Sequence, residues 1–216
     1  MTICCVSDTH GQEQKLDLSE YPADVLVHAG DFVNRGTKTE VINFLQWLEL
    51  QDYQYKIFIS GNHSGVVASD PEWFKRVLKT FPAVTYLQDS EVVIEGIKFY
   101  GSPYSPEFCN WDFMEEEIDL SKIWDKIPDD TDVLLTHSPA YGCHDLVERA
   151  YGRDPHVGSQ SLTYRKKALQ DSLRVHVCGH IHCAYGTSNT LGCLNINASV
   201  LNDDYQLVNK PIIVEI

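Results

Sequence analysis

The sequence lacks any apolar run that approaches the roughly 20 residues of a membrane-spanning helix. Its first eight residues, Met1 to Asp8, contain no basic segment and already include a carboxylate, so a secretory signal peptide is not expected. No linker, repeat or low-complexity tract interrupts the 216 residues, and 43% of them are hydrophobic, too many for a disordered chain. We therefore expect one domain spanning residues 1–216, with no membrane association.

Basic residues are scarce. The sequence has 17 Lys and Arg against 31 Asp and Glu, a net charge of -14 with neutral His. Such a chain has no sequence-independent attraction for polyphosphate, so long DNA or RNA is not an expected partner. A small anionic substrate can bind only where a strong positive charge sits locally. The sequence does not predict an oligomeric state.

The seven cysteines form no C-x-x-C pair, and their number is odd. This usage favours free thiols in a reducing compartment. The expected location is cytoplasmic.

Short β-branched runs alternate with turns that contain Gly, Asp or His, and most of the runs are continuously apolar. This pattern is typical of strands buried on both faces. The predicted strands are Ile3–Val6, Asp24–Ala29, Lys56–Ser60, Val84–Leu87, Glu91–Ile94, Ile97–Tyr100, Asp132–Thr136, Arg174–Cys178, Cys193–Asn197 and Ile212–Glu215.

Helices are predicted between several of these strands. Thr37 and Glu40 form a capping box at the start of one helix, and Pro71 suits the first position of another. Two further helices are predicted over Glu115–Lys126 and Ser159–Leu173. The alternation of strand and helix over the first 80 residues predicts a parallel sheet, while short connections after residue 84 predict an antiparallel part. The pattern fits two facing sheets with helices outside, or a single doubly wound sheet.

Five of the predicted strands are followed at once by Asp, Asn or His. The segments are Ser7-Asp8-Thr9-His10, Gly30-Asp31 with Asn34-Arg35-Gly36, Gly61-Asn62-His63, His137, and Gly179-His180-Ile181-His182. Because sites in α/β sheets assemble at the carboxyl ends of strands, we expect these side chains to share one rim. Mixed imidazole and carboxylate ligands suit Mn, Fe, Zn or Ni better than Mg or Ca. Without His63 there are seven ligands, enough for two metal sites if one carboxylate bridges.

Each element also has a simpler interpretation. His137 alone is more often a core histidine, Gly61-Asn62 can be a turn, and Asp31 can cap a helix. A zinc knuckle around Cys178 and Cys183 is disfavoured because no C-x-x-C arm is present. The joint occurrence of the motifs favours metal binding. We also expect an extended backbone to point the two residues of Asp8-x-His10, and of His180-x-His182, to one side.

This ordered series of motifs resembles the calcineurin-like metallophosphoesterases over about 175 residues. Four further segments resemble the branch of metallophosphoesterase-domain-containing phosphodiesterases: Tyr86–Glu91, Tyr100–Pro103, Thr136–Pro139 and Ile196–Ser199. The resemblance implies an α/β fold, a four-layer α/β/β/α sandwich with two mixed β-sheets. It also implies a ligand set: Asp8, His10 and His182 for one metal, Asn62, His137 and His180 for the other, with Asp31 bridging.

The resemblance further implies a binuclear metal-dependent phosphoesterase that hydrolyses small phosphodiesters, including cyclic nucleotides, with a metal-bridging hydroxide as nucleophile. Two divalent transition-metal ions are expected, Mn²⁺ first, with Fe²⁺, Zn²⁺, Ni²⁺ or Co²⁺ as alternatives. Asp31 and His63 are the expected catalytic residues, and His63 would bind substrate or protonate the leaving group. Two other functions stay open: a phosphomonoesterase acting on nucleotides or phosphoproteins, and a non-catalytic scaffold that binds metal or nucleotide.

Substrate contacts are expected from Asn34, Arg35, His63, Tyr104 and Asn110, with Trp111 in the same loop as the last two. One departure from the family concerns the residue after Gly61-Asn62-His63. Many relatives have Asp or Glu there, whereas this chain has Ser64. We expect the Ser64 hydroxyl to hold the imidazole less firmly and to raise its pKa less than a carboxylate would.

Overall fold

A computed structural model describes residues 1–147 and 155–216 of the chain. Its strands are β1 (Thr2–Val6), β2 (Val25–His28), β3 (Tyr55–Phe58), β4 (Thr85–Tyr86), β5 (Ser90–Ile94), β6 (Ile97–Ser102), β7 (Ser105–Pro106), β8 (Met114–Glu115), β9 (Val133–Thr136), β10 (Val175–Cys178), β11 (Gly186–Thr190), β12 (Cys193–Asn197) and β13 (Ile212–Glu215). Its α-helices are α1 (Lys38–Leu50), α2 (Val66–Ser69), α3 (Pro71–Leu78), α4 (Glu117–Trp124) and α5 (Gln160–Ala168).

The strands form two large mixed sheets. The first has the order β13-β1-β2-β3-β4, in which β1 to β4 run parallel and β13 pairs antiparallel with β1. The second has the order β11-β12-β10-β9-β6-β5, with a parallel centre and antiparallel edge strands β11 and β5. The predicted mixture of parallel and antiparallel pairing is confirmed.

Side chains of each sheet face two different hydrophobic clusters. In β1, Ile3 and Cys5 join a cluster that also contains Val177 of the second sheet. Cys4 and Val6 point the other way, into a cluster with Phe44 of α1. A third cluster packs residues of α4 and α5 against the far face of the second sheet. The two sheets therefore face each other, which excludes the single doubly wound sheet and fits the order helix, sheet, sheet, helix.

The helix starts follow the predicted capping signals. The backbone N–H of Glu40 donates to the Thr37 hydroxyl across 3.3 Å, and the Glu40 carboxylate accepts from the Thr37 N–H across 2.9 Å. This reciprocal pair satisfies two backbone donors that the first turn of α1 would leave free. Pro71 opens α3 as predicted. Two predicted helices are too long, however, because α4 ends at Trp124 and α5 at Ala168, before turns that lead into the next strands.

Strand β11 was not predicted. Its residues, Gly186 to Thr190, are polar and offer no hydrophobic alternation, and its strand structure comes from antiparallel pairing with β12. No helix formed by residues 1–147 and 155–216 is long and apolar enough to cross a membrane. The seven cysteines are free thiols in this part of the chain, as expected.

Candidate metal centre

Five parallel strands from both sheets, β1, β2, β3, β9 and β10, carry the predicted ligands on the loops that follow them. Backbone hydrogen bonds tie these loops together. The N–H of Asp8 donates to Gly30 O at 3.0 Å, and the N–H of Gly179 donates to His137 O at 2.9 Å. Val200 N donates to Ser7 O at 3.0 Å and so joins the rims of the two sheets. The polar loops therefore meet at one rim, as the strand-end pattern predicts.

Four of the candidate ligands have left-handed backbone conformations. The φ angle is 54° at Asp8, 44° at His10, 49° at Asp31 and 66° at His180. Such angles are uncommon for residues other than glycine and cost about 1–3 kcal/mol each. The expectation of an extended backbone at Asp8-x-His10 and His180-x-His182 is therefore wrong. Sharp turns aim these side chains, and tertiary contacts hold the turns in place.

Potential ligand atoms form three overlapping groups, each with its atoms within 4.8 Å of one another. The groups are Asp8, His10 and His182; Asp31, His137 and His180; and His10, Asp31 and His63. Asp31 lies between the first two groups, since its Oδ2 is 3.2 Å from His137 Nε2 and 3.7 Å from His10 Nε2. Asn62 Oδ1 lies 3.0 Å from His137 Nε2, which places the amide beside the second group.

Backbone carbonyls orient the imidazoles. The Nδ1–H of His137 donates to Ala29 O, and that of His182 donates to Asn202 O, both at 3.0 Å. Each ring therefore directs its Nε2 atom towards the carboxylates, as metal-binding histidines do. His10 Nε2 faces His182 Nε2 at 3.4 Å, and His10 Nδ1 is buried without a hydrogen-bond partner among the described residues. Converging nitrogen and carboxylate lone pairs of this kind fit a divalent transition metal.

The carboxylates and two of the imidazoles shift one another's pKa values. Burial would raise the pKa of Asp31, but the charge and hydrogen bond of His137 outweigh it and hold that pKa well below its usual range. The pKa of Asp8 is likewise held well below its usual range, because the hydrogen bond and charge of His182 outweigh the effect of burial. Burial would lower the pKa of both imidazoles, yet the paired carboxylates raise it to about 9 in His137 and in His182. A divalent cation would compete with these protons for the same nitrogen atoms.

The other two imidazoles are held neutral by burial. Desolvation lowers the pKa of His10 to about 4 and that of His180 to about 4, although Asp31 opposes the shift in both. A neutral imidazole has a free lone pair for a cation.

His63 is held by a backbone carbonyl. Its Nδ1–H donates to Asn34 O at 2.8 Å, which leaves Nε2 facing the centre, 4.0 Å from Asp31 Oδ2. The hydroxyl of Ser64 instead donates to Gly61 O at 2.6 Å and accepts from Gly61 N at 3.0 Å. The expectation that Ser64 holds the His63 ring is therefore wrong, because that hydroxyl closes the Gly61–Ser64 turn.

Several glycines, Gly61 and Gly179 among them, border the ligands so closely that no side chain fits. A Cβ atom on Gly61 would collide with Asp31 Oδ1 and lie 2.7 Å from His137 Nε2. A Cβ atom on Gly179 would collide with Asp8 Oδ2 and Ser7 Oγ. The ligand spacing of this centre therefore requires glycine at both positions.

A cavity of about 600 Å³ opens over the centre. His10, Asp31, Asn62, His63, His180 and His182 line it, together with Phe108, Trp111, Met114, Val147, Ile181, Cys183, Asp203, Asp204 and Tyr205. The Trp111 ring packs on His63 with centroids 4.2 Å apart. The cavity thus combines the candidate ligands with an apolar flank.

The predicted substrate contacts fall in different places. Asn34, Arg35 and Asn110 line a neighbouring cavity of about 400 Å³, which shares His63 with the first. Tyr104 lines neither of these two cavities and packs edge-on against Phe113, with centroids 5.5 Å apart.

Sequence reasoning missed the segment from Asn202 to Gln206. The Tyr205 ring lies 4.9 Å from that of His10 and 5.3 Å from that of His182, between centroids. The segment follows all the recognised motifs, and no spacing or composition signal connects it with them. Only the fold brings it to the centre.

The fold and this centre define a class: mixed α/β proteins whose clustered carboxylates and imidazoles hold divalent metal for hydrolysis. Residues 1–184 match the calcineurin-like phosphoesterases, and the chain belongs to this family. Family membership indicates metal-dependent phosphoester hydrolysis.

The chain is similar to proteins of other organisms in sequence and in fold. The chain is 36% identical to human "Metallophosphoesterase domain-containing protein 1", over 98% of this chain and 70% of that protein. It is 31% identical to the Caenorhabditis elegans "UPF0046 protein K07C11.7", over 99% of this chain and 74% of that protein. The solved structure of TT1561 from Thermus thermophilus has the same fold, with a TM-score of 0.65 and 13% identity over 91% of this chain and 88% of that one.

Proposed function

We propose that this protein hydrolyses small phosphodiesters, including cyclic nucleotides, at a centre of two divalent metal ions. The observation that carries the proposal is the position of Asp31. Its carboxylate belongs to the group with His137 and His180 and also to a group with His10, which is itself paired with Asp8 and His182. One carboxylate shared in this way suits a pair of ions better than a single one.

Asp8, His10 and His182 would hold one ion, Asn62, His137 and His180 the other, and Asp31 both. Bound ions would supply Lewis acidity towards phosphoryl oxygens and would lower the pKa of water to give the nucleophile. Mn²⁺ is the first expectation, because the ligand set mixes imidazole with oxygen donors.

Asp31 is fixed for this shared role by the backbone. The N–H of His63 donates to Asp31 Oδ1 at 2.9 Å, so Oδ2 is the oxygen that faces the imidazoles of His10 and His137. His63, which positions Asp31 through its backbone, would also act as the general acid through its side chain. With Nδ1 bound to Asn34 O, His63 can hold a proton at Nε2 beside the centre and donate it to the departing oxygen of the substrate.

The shape of the cavity supports diesters. Its volume of about 600 Å³ exceeds the needs of a phosphate group and leaves room for two organic substituents. Phe108 and Trp111 are partly exposed, at 63% and 46%, and form an apolar flank next to His63, on the side where a leaving group would depart. An organic leaving group gains by burying apolar surface there.

The test is hydrolysis by the full chain with Mn²⁺, Ni²⁺ or Co²⁺, using bis-p-nitrophenyl phosphate, p-nitrophenyl phosphate and 3′,5′-cyclic nucleotides. We expect faster diester than monoester cleavage and about two ions per chain by elemental analysis. Asp31→Asn should lose both metal and turnover, whereas the exposed Asp52→Asn should keep both. Equal rates on the two nitrophenyl esters would remove the diester preference, and a wild-type protein inert on every ester would favour a scaffold.

A further inference from the structure

We infer that the turn from Asn202 to Gln206 makes this enzyme select phosphodiesters with one negative charge over phosphomonoesters with two. The selecting groups are the carboxylates of Asp203 and Asp204. The inference rests on the proposed function and identifies the residues that determine the substrate class.

The turn is closed by its own hydrogen bonds. The Oδ1 atom of Asn202 accepts from the backbone N–H groups of Asp204 at 3.1 Å and Gln206 at 2.9 Å. The backbone N–H of Asn202 donates to Gln206 O at 3.0 Å. Because these bonds fix the backbone between them, the Cα atoms of Asp203 and Asp204 have a defined position at the cavity.

The turn is also anchored to the candidate metal ligands. Asn202 O accepts the hydrogen bond that orients His182, and Tyr205 O accepts from Gln12 Nε2 at 2.9 Å. The Tyr205 ring packs against the rings of His10 and His182. The backbone that carries Asp203 and Asp204 is consequently held beside the histidines that would bind the ions.

Charge counting gives the direction of the effect. Two divalent ions would bring four positive charges, and Asp8 and Asp31 supply two negative ones. Asp203 and Asp204 line the same cavity and bring the count of negative charges to four. Among the described residues, these two carboxylates therefore reduce the attraction of the centre for every negative charge on a substrate, and they act about twice as strongly on a dianion as on a monoanion.

The described lining of the cavity contains no lysine or arginine to offset these carboxylates. Arg35 lines the neighbouring cavity and not this one. Both aspartates are exposed, so solvent and salt screen their effect. We expect a moderate preference between substrates that differ by one charge.

The test compares two esters with the same leaving group at about pH 8, where a phosphomonoester carries two charges. Methyl p-nitrophenyl phosphate carries one charge and p-nitrophenyl phosphate carries two. In Asp203→Asn/Asp204→Asn, the ratio of monoester to diester kcat/KM should rise roughly tenfold at low salt and less at high salt. The matched control is Asp52→Asn/Asp171→Asn, which removes two exposed carboxylates away from the cavity and should leave the ratio unchanged.

Binding supplies a second readout. In calorimetry on the Mn²⁺-loaded protein, the Asp203→Asn/Asp204→Asn variant should bind inorganic phosphate several-fold more tightly than wild type, with a clearly smaller gain for singly charged dimethyl phosphate and with unchanged metal content. An unchanged kinetic ratio, or an equal shift in the control variant, would overturn the inference while hydrolysis itself persists. If no variant hydrolyses either ester or binds phosphate, the proposed function fails, and the inference fails with it.

Discussion

The Nδ1–H of His63 donates to the carbonyl oxygen of Asn34 across 2.8 Å, so that two separate motifs meet at one imidazole. Asn34 follows β2 and His63 follows β3, and the parallel pairing of these strands brings the two loops side by side. The carbonyl sets the tautomer of His63 and points its Nε2 at the centre. A carboxylate in the next position of the chain is therefore not needed to orient this histidine.

This geometry separates the effects of two neighbouring substitutions. His63→Ala should lower kcat by about 10²–10⁴, the usual contribution of a general acid. Ser64→Ala removes only the hydroxyl that bonds Gly61 and should cost about 1–3 kcal/mol of stability with kcat nearly unchanged. Turnover and urea unfolding of both variants are the measurements. A loss of kcat in Ser64→Ala as large as that in His63→Ala would show that the hydroxyl acts on the imidazole after all.

Gly61 offers a steric test of the metal centre. In Gly61→Ala the new methyl group would collide with Asp31 Oδ1 and press on His137 Nε2. We expect bound metal to fall below one ion per chain while the circular dichroism spectrum keeps its native shape. Gly96→Ala serves as the control, since a Cβ atom there meets nothing within 4 Å, and its φ of 85° costs stability without touching the centre. Full metal content in Gly61→Ala would contradict the ligand arrangement.

The burial of His28 should make the stability of the protein depend on pH. It is fully buried on β2, and desolvation lowers its pKa from 6.5 to about 3. Below pH 6.5 the unfolded chain therefore binds a proton that the folded protein does not, so the free energy of unfolding falls as the pH drops towards 3. At about pH 5 this effect amounts to about 2 kcal/mol.

The variant His28→Gln removes this titration and can keep the hydrogen bond to Thr9. Urea unfolding in the presence of a chelator, at about pH 7.5 and about pH 5, should show the difference. From about pH 7.5 to about pH 5, the free energy of unfolding of wild type should fall by about 2 kcal/mol more than that of the variant. An equal fall in the free energy of unfolding of both proteins would show that His28 does not cause this pH dependence.

Lys166 is fully buried on α5 and is held without a carboxylate among its described partners. Its Nζ donates to His176 Nδ1 at 2.9 Å and to Asn195 Oδ1. Burial lowers its pKa. Lys166→Met should leave both acceptors unsatisfied and destabilise the protein by about 1–3 kcal/mol, whereas the exposed Lys167→Met should change little. Thermal unfolding is the measurement. Equal melting temperatures in wild type and Lys166→Met would contradict a stabilising role of the Lys166 hydrogen bonds.

Much of the fold and of the candidate site could be predicted from sequence because the signals are local. The buried strands were recognisable as continuous apolar runs, and the capping box at Thr37 placed the start of α1 within one residue. Asp8, Asp31, Asn62, His137, His180 and His182 were found because each lies in the loop that follows a strand, within four residues of the strand end. The ends of α4 and α5 and the whole of α2, β7, β8 and β11 were missed, since no local pattern marks them.

The sequence by itself determined which side chains could hold a cation and the order of the strands that carry them. Tertiary structure alone decided how these side chains meet. Left-handed backbone at Asp8, His10, Asp31 and His180 is stabilised by contacts between loops. The turn from Asn202 to Gln206 reaches the centre through bonds to Gln12 and His182, far away in the chain. Periodicity and spacing report on neighbours along the chain, whereas such contacts depend on which strands pair and on how the two sheets pack.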